Sequence, residues 1–139
     1  MKIYVIRHGQ TDWNVAGKCQ GRTDIELNET GIEQAKQAKE QLKNYNIEQI
    51  ICSPLKRTRK TAEIINETTN CSIIADERII ERECGTIEGT TKNEWNDIVK
   101  NDISIINNYN LNYNEHNIEP IQTVCKRVWN LLDEIEEKY

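Results

Sequence analysis

The chain opens with the sequence MKIYVIRHG at residues 1–9, and this stretch sets the architecture to expect of the rest. Residues 2–6 are apolar and rich in β-branched side chains, which predicts a short buried β-strand. Arg7, His8 and Gly9 follow directly at the carboxyl end of that strand. Parallel α/β sheets bind ligands outside the carboxyl ends of their strands, so these polar residues mark a candidate site.

Beyond this stretch, segments typical of helices alternate with segments typical of strands. Asn28 is a plausible N-cap, and Pro54 is well placed in the first turn of a helix. This alternation predicts an α/β fold with a mainly parallel sheet. The expected elements are a loop at residues 10–27, a helix at about 29–44, a strand at 49–52, a helix at about 55–67, a strand at 72–75, a loop at 76–89, helices near 91–100 and 120–138, and an irregular Asn- and Tyr-rich segment at 101–117.

Length and composition fit one domain of ordinary globular type. The 139 residues are 37% hydrophobic and 29% charged, which is enough for a hydrophobic core. A formal net charge of −5 argues against nucleic-acid binding, although a few arginines can still form a pocket for a small anion. No apolar run is long enough for a membrane span or a signal peptide. Five cysteines without a CxxC pair argue against a disulfide framework or a metal site and favour a cytoplasmic protein.

His8 is the first candidate for chemistry, because the chain has only 2 histidines. The carbonyl of Gly9 can accept a hydrogen bond from one ring nitrogen and fix the tautomer, which leaves the other nitrogen as a nucleophile. The alternative is an ordinary structural histidine at a strand end. Arg57 suits phosphate, because its planar guanidinium donates parallel hydrogen bonds and lies near a helix N-terminus. Arg59 has the spacing of a solvent-facing residue and is expected to form an ordinary surface ion pair.

These residues belong to a series of short motifs that spans the chain nearly end to end. In order and spacing, the series resembles the histidine phosphatase superfamily, the phosphoglycerate mutase-like proteins, whose signature is RHGxT. The motifs are Arg7-His8-Gly9-Gln10-Thr11 with Trp13-Asn14, then Gln20-Gly21-Arg22-Thr23-Asp24, Leu27-Asn28-Glu29-Thr30-Gly31, Ser53-Pro54-Leu55-Lys56-Arg57-Thr58, the stretch from Glu81 through Cys84-Gly85, Glu88-Gly89, and finally Glu119 and Arg127.

The resemblance implies a three-layer sandwich with a mainly parallel sheet flanked by helices, and a two-step phosphoryl transfer. His8 would attack phosphorus and form a phosphohistidine, which water then hydrolyses. Arg7 and Arg57 would hold the phosphoryl oxygens, and Glu81 would protonate the leaving alcohol and later activate water. No metal or other cofactor is implied. Residues expected to line the phosphate or substrate entrance are Asn14, Gln20 and Gly21.

One feature of the superfamily has no match in this sequence. A second histidine, in a His-Gly motif after the late helix, has no counterpart, and His116 does not match it by position. The expectation is therefore a single, incomplete domain over residues 1–139, lacking the C-terminal strand and helices and impaired in turnover. An uncovered sheet edge would favour self-association.

The leading interpretation is a phosphomonoesterase acting on a small phosphorylated metabolite. A phosphoglycerate mutase is the alternative within the family, although residues 89–119 are short for the insertion typical of mutases. A non-catalytic phosphate-binding module is an alternative of another class. A nucleotide-binding α/β domain is disfavoured, because the chain has neither a GxGxxG nor a Walker-type loop.

Overall fold

The structure is a computed structural model that describes residues 1–98 and 115–138. Its helices and parallel strands alternate in the α/β pattern expected from the sequence. Most of the irregular segment predicted at 101–117 lies outside the described residues. The elements are α1 (Asp12–Val15), α2 (Glu29–Leu42), β1 (Gln49–Cys52), α3 (Lys56–Thr69), β2 (Ser72–Ala75), 3₁₀ turns at Glu77–Ile79 and Gly85–Ile87, α4 (Lys92–Ile98), a 3₁₀ turn at Glu115–Asn117 and α5 (Ile121–Lys138).

Strands β1 and β2 pair in parallel along their whole length, with Gln49 opposite Ser72 and Cys52 opposite Ala75. Helix α3 makes the crossover between them, and it packs on both α2 and the sheet. A parallel pair needs such a crossover, and the short apolar strands supply the β-branched side chains that suit it. Both strands lie where the sequence predicts them.

Helix α2 is positioned by its first turn. The side chain of Asn28 accepts a hydrogen bond from the backbone N–H of Gly31 at 2.9 Å, so the predicted N-cap is confirmed. The backbone of Gly31 also packs directly on the backbone around Gly9 and Gln10, and a Cβ at either glycine would collide with the other segment. Two glycines therefore let the loop that carries His8 touch the start of α2.

The prediction of a third strand at residues 2–6 is wrong for this structure. Within the described residues, the sheet has only β1 and β2, and no backbone hydrogen bond joins residues 2–6 to either of them. Val5 is 93% exposed and Ile3 54%, so the segment is not buried. Strand composition provides only propensity, whereas a strand also needs a neighbour whose backbone groups can pair with its own.

Both predicted loops on either side of the site contain short regular elements. Residues 10–27 include α1 and an isolated antiparallel bridge between Lys18 and Thr91, and residues 76–89 include two 3₁₀ turns. Ile87, in the second of these turns, forms a small buried cluster with Ile118. Cys19 of the first loop packs against this cluster, so the two loops meet there. None of the described helices has the length and apolarity needed to cross a membrane.

Candidate active site

A cleft of about 190 Å³ lies outside the carboxyl end of β1. The positions of Ser53 and Arg57 after this strand predict a site at the same edge of the sheet. One wall carries His8 and Arg57, and the other is formed by α5 and residues 79–82. The lining residues are His8, Ser53, Leu55, Arg57, Thr58, Ile79, Ile80, Glu81, Arg82, Val124, Arg127 and Val128.

The imidazole of His8 is held by its own neighbour. Its Nδ1 lies 2.7 Å from the carbonyl oxygen of Gly9, and the N–H of Gly9 donates to the hydroxyl of Thr61 in α3 at 3.2 Å. Because a carbonyl oxygen can only accept, Nδ1 carries the proton and the neutral ring has its lone pair on Nε2. The contact between His8 and Gly9 is the one anticipated from the sequence.

Burial and two cations lower the pKa of His8 below its usual value. Burial is the largest cause, Arg57 and Arg7 act in the same direction, and the Gly9 hydrogen bond and Glu81 oppose them. The cationic form of the ring is therefore disfavoured, and the unprotonated Nε2 persists to lower pH than in a free histidine.

Arg57 is almost completely buried, at 1% exposure. Its guanidinium donates to the carbonyl oxygens of Thr23 at 2.9 Å and Gly21 at 2.8 Å, and its Nε has no hydrogen-bond partner among the described residues. Burial lowers its pKa, but arginine stays charged. The hydrogen-bond acceptors of this buried cation are neutral, which leaves its charge available to an anion.

Glu88 organises the loop to which Arg57 donates. Its carboxylate accepts hydrogen bonds from the backbone N–H groups of Arg22 and Thr23, each at 3.0 Å, from the Thr23 hydroxyl, and from the N–H of Cys84 at 2.9 Å. Burial raises the pKa of Glu88, but these hydrogen bonds outweigh it and the net shift is downward. The sequence showed Glu88 only as part of a motif, because two of its partners, Arg22 and Thr23, lie more than sixty residues away.

The three residues expected at the substrate entrance, Asn14, Gln20 and Gly21, do not line the cleft. The hydroxyl of Thr11, which is 0% exposed, lies 3.1 Å from Asn14 Oδ1 and 2.8 Å from Gln20 Oε1. Asn14 also completes a capping box at the start of α1. Gly21 has φ +49°, and a Cβ there would overlap the carboxylate of Glu88. In this structure Asn14 and Gln20 contact the buried Thr11, and Gly21 belongs to the loop that accepts from Arg57.

Glu81 and Arg7 both affect the pKa of His8 electrostatically, but they differ in their position relative to the cleft. Glu81 lines the cleft, is exposed, and accepts from the N–H of Arg82 at 2.8 Å. Arg7 is exposed and does not line the cleft. The structure thus places His8, Arg57 and Glu81 around one cavity, with Arg7 outside it.

The wall opposite His8 carries a neutralised cation. Glu119, whose side chain is 8% exposed, receives two bonds from Arg127, at 2.9 and 3.0 Å, and an ion pair from Arg22 at 3.2 Å. Arg127 also donates to the carbonyl of Arg78 at 2.7 Å. Burial raises the pKa of Glu119, but the hydrogen bonds and charges of the arginines outweigh burial. The net shift of the pKa is downward, so the carboxylate is ionised.

The described residues contain no group of three or more His, Cys, Asp or Glu side chains that could hold a metal ion. All five cysteines are free. The cationic side chains that line the cleft are those of Arg57, Arg82 and Arg127.

Known proteins resemble this chain over most of its length. It is 47% identical to an uncharacterized phosphatase, PhoE, of Bacillus subtilis. The 87 aligned residues cover 63% of this chain and 45% of that protein. It is 43% identical to a probable phosphoglycerate mutase, GpmB, of Proteus mirabilis. The 88 aligned residues cover 63% of this chain and 41% of that protein. A mycobacterial glucosyl-3-phosphoglycerate phosphatase in complex with VO3 superposes with a TM-score of 0.84 at 30% identity, covering 94% of this chain and 64% of that one.

The chain thus spans less than half the length of these curated relatives and under two thirds of the solved structure. The family model for the histidine phosphatase superfamily, branch 1, matches residues 3–139, which is nearly every residue. His8 and Arg57, which belong to two of the motifs quoted from the sequence, both line the cleft. The chain belongs to branch 1 of the histidine phosphatase superfamily.

Proposed function

We propose that this chain cleaves phosphomonoesters through a phosphohistidine on His8. The observation that carries the proposal is the hydrogen bond from His8 Nδ1 to the Gly9 carbonyl, which leaves Nε2 unprotonated in the cleft that Arg57 lines. A neutral imidazole nitrogen is a competent nucleophile, and an arginine without a carboxylate partner suits the developing charge of a phosphoryl group.

In the first step, Nε2 of His8 forms a bond to phosphorus while the bond to the ester oxygen breaks. Glu81 gives its proton to the leaving alcohol, and Arg57 holds the phosphoryl oxygens. Arg7 is proposed to hold them with Arg57, which would require its side chain to turn toward the cleft. In the second step, Glu81 takes a proton from water, whose oxygen bonds to phosphorus and releases phosphate and free His8. The exposure of Glu81 fits this double role, because it can exchange protons with solvent.

The proposed substrate is a small phosphorylated metabolite. The relatives support this class, since one is named a glucosyl-3-phosphoglycerate phosphatase and another a probable phosphoglycerate mutase. Contact of Asn14, Gln20 and Gly21 with substrate remains a prediction, and it would require their loops to open toward the cleft. The 43% identity to GpmB keeps phosphoglycerate mutase as a second candidate, and a mutase would need a bisphosphate primer that a phosphatase does not. A phosphate-binding module without turnover is the third.

We also propose that the fold is the three-layer sandwich of the family and that this 139-residue polypeptide turns over slowly. The only histidine besides His8 is His116, which lies in the 3₁₀ turn before α5 and does not line the cleft. A missing charge-stabilising donor typically costs about 10²–10³ in rate. Fusing the remaining C-terminal part of a solved relative to residue 139 should raise kcat. Equal kcat for the two polypeptides would contradict the slow-turnover proposal. Gel filtration of the 139-residue chain tests the proposed self-association.

The decisive experiment is trapping of the covalent intermediate. The chain is mixed with a ³²P-labelled phosphomonoester and quenched in alkali, where phosphohistidine survives. Label on His8, absent in His8→Asn, supports phosphoryl transfer. Release of free phosphate then favours a phosphatase, and interconversion of phosphoglycerates favours a mutase. Phosphate bound by the folded chain without any adduct would instead indicate the binding module.

A further inference from the structure

The carboxylate of Glu88 joins two loops that the proposed reaction uses from different sides. One loop, Gly21 to Thr23, holds the guanidinium of Arg57 through two carbonyl oxygens. The other segment runs from Glu81 to Cys84. Glu88 accepts from both, because its Oε1 receives the N–H groups of Arg22 and Cys84 while its Oε2 receives the N–H and hydroxyl of Thr23.

This arrangement is highly directional. Two carboxylate oxygens receive four donors, and the fit is close enough that Gly21 has no room for a Cβ beside Glu88. Arg22 adds a second link, since its Nε donates to the carbonyl of Glu81 at 3.2 Å. The carbonyls of residues 21 and 23 can face Arg57 only while the intervening N–H groups face Glu88, because neighbouring groups of one short loop turn together.

We infer that Glu88 is a positioning residue, which sets the guanidinium of Arg57 and the segment carrying Glu81 relative to His8. Glu88 touches neither the cleft nor His8, so it acts through the loop. The inference rests on the proposed function, because it takes Arg57 as the phosphoryl-binding group. A displacement of about 1 Å at such a group is enough to lower a rate by about 10²-fold.

The test is Glu88→Gln, which keeps the length and volume of the side chain but turns one double acceptor into a donor. We expect kcat/KM on a generic phosphomonoester to fall at least about tenfold, mainly in kcat, because contacts of Arg57 strengthen in the transition state. Inhibition by orthovanadate, a transition-state-like probe, should weaken by a similar factor. The matched control is Glu77→Gln, an exposed glutamate whose carboxylate has no hydrogen bond or ion pair to the described residues, and it should change neither quantity.

Hydrogen exchange measures the order of the Gly21–Thr23 loop independently of catalysis. Amides of residues 22, 23 and 84 should exchange faster in Glu88→Gln than in Glu77→Gln. Faster exchange with unchanged kcat/KM and unchanged vanadate inhibition would overturn the inference. Should Glu88→Gln not fold, Thr23→Val removes a single hydroxyl donor, and it should lower kcat/KM and vanadate affinity together by a smaller factor. Unchanged values there would also overturn it. If the wild-type chain forms no phosphohistidine, the proposed function is contradicted. The vanadate affinity of the variants still tests whether Glu88 positions Arg57.

Discussion

The two walls of the cleft both present arginine, but they differ in what neutralises the charge. Arg57 donates to two neutral carbonyls and keeps an unpartnered Nε, whereas Arg127 is bound through two nitrogens to the carboxylate of Glu119. A cation already paired with a carboxylate has little attraction left for a phosphate, and breaking the pair costs the desolvation of both partners. Of Arg57 and Arg127, Arg57 is therefore the arginine whose charge is available to a ligand, and it lies on the wall that also carries His8.

The largest effect is expected where the first wall loses its nucleophile. His8→Asn keeps a polar side chain of similar size but removes the nitrogen that bonds to phosphorus. We expect kcat to fall by at least about 10³-fold and the alkali-stable adduct to disappear. Steady-state kinetics measure kcat, and gels of the labelled protein run at neutral to alkaline pH, where phosphohistidine survives, measure the adduct. An adduct that persists in His8→Asn would show that another residue is the nucleophile, and it would contradict the assignment of the chemistry to the wall that carries His8.

The next prediction compares the two arginines directly. Arg57→Lys keeps the charge but loses the fork that spans the carbonyls of Thr23 and Gly21, so kcat/KM should fall by about 10²-fold. Arg127→Lys is the counterpart on the other wall and should lower kcat/KM by less than about tenfold. Kinetics on one phosphomonoester under identical conditions compare the two variants. A larger loss for Arg127→Lys would reverse the assignment of the walls.

The second wall should matter more for stability. Glu119→Gln leaves Arg127 half-buried without its counter-charge and also weakens the contact of Arg22. We expect the free energy of unfolding to fall by about 2 kcal/mol, measured by urea titration. Glu134→Gln is the control, because its pair with Arg78 is exposed and worth under about 1 kcal/mol. Equal losses for the two variants would show that Glu119 contributes no more than a surface charge.

The smallest effect concerns the titration of His8. The pKa of His8 is lowered by burial and also by Arg57 and Arg7, so removal of a cation should raise it. In Arg7→Gln the ring takes up its proton at higher pH, and the acid limb of kcat/KM should shift to higher pH with it. In the wild type that limb should lie below the usual histidine value of about 6.5. Chemical shifts of the imidazole protons follow the titration, and an unchanged midpoint in Arg7→Gln would remove Arg7 from the electrostatics of this wall.

Features set by neighbouring residues could be predicted from the sequence, and those set by distant partners could not. The Asn28 cap and the Gly9 carbonyl contact each involve residues no more than three apart, so local chemistry determines them. The carbonyls that accept from Arg57 lie more than thirty residues from it, and the Arg22 and Thr23 donors to Glu88 lie more than sixty residues from Glu88. No local pattern specifies such pairings, and only the family motifs indicated that these loops would meet.

The strands show the same limit in another way. Residues 2–6 and β1 have similar apolar, β-branched composition, yet only β1 pairs within the described residues. Composition states that a segment can form a strand, whereas pairing depends on a neighbour elsewhere in the chain. The error at residues 2–6 did not displace the site, because the Arg7–Gly9 loop is held by α2 and α3 instead.

The glycine contact between the His8 loop and α2 has a consequence for folding. Gly9 and Gly31 touch backbone to backbone, so the loop takes its shape only when α2 is docked. A partly unfolded chain in which α2 is detached would lose the loop conformation that holds His8, even if β1, α3 and β2 remained packed together. Protection of the amides near Gly9 should therefore vanish together with that of α2, as one cooperative unit.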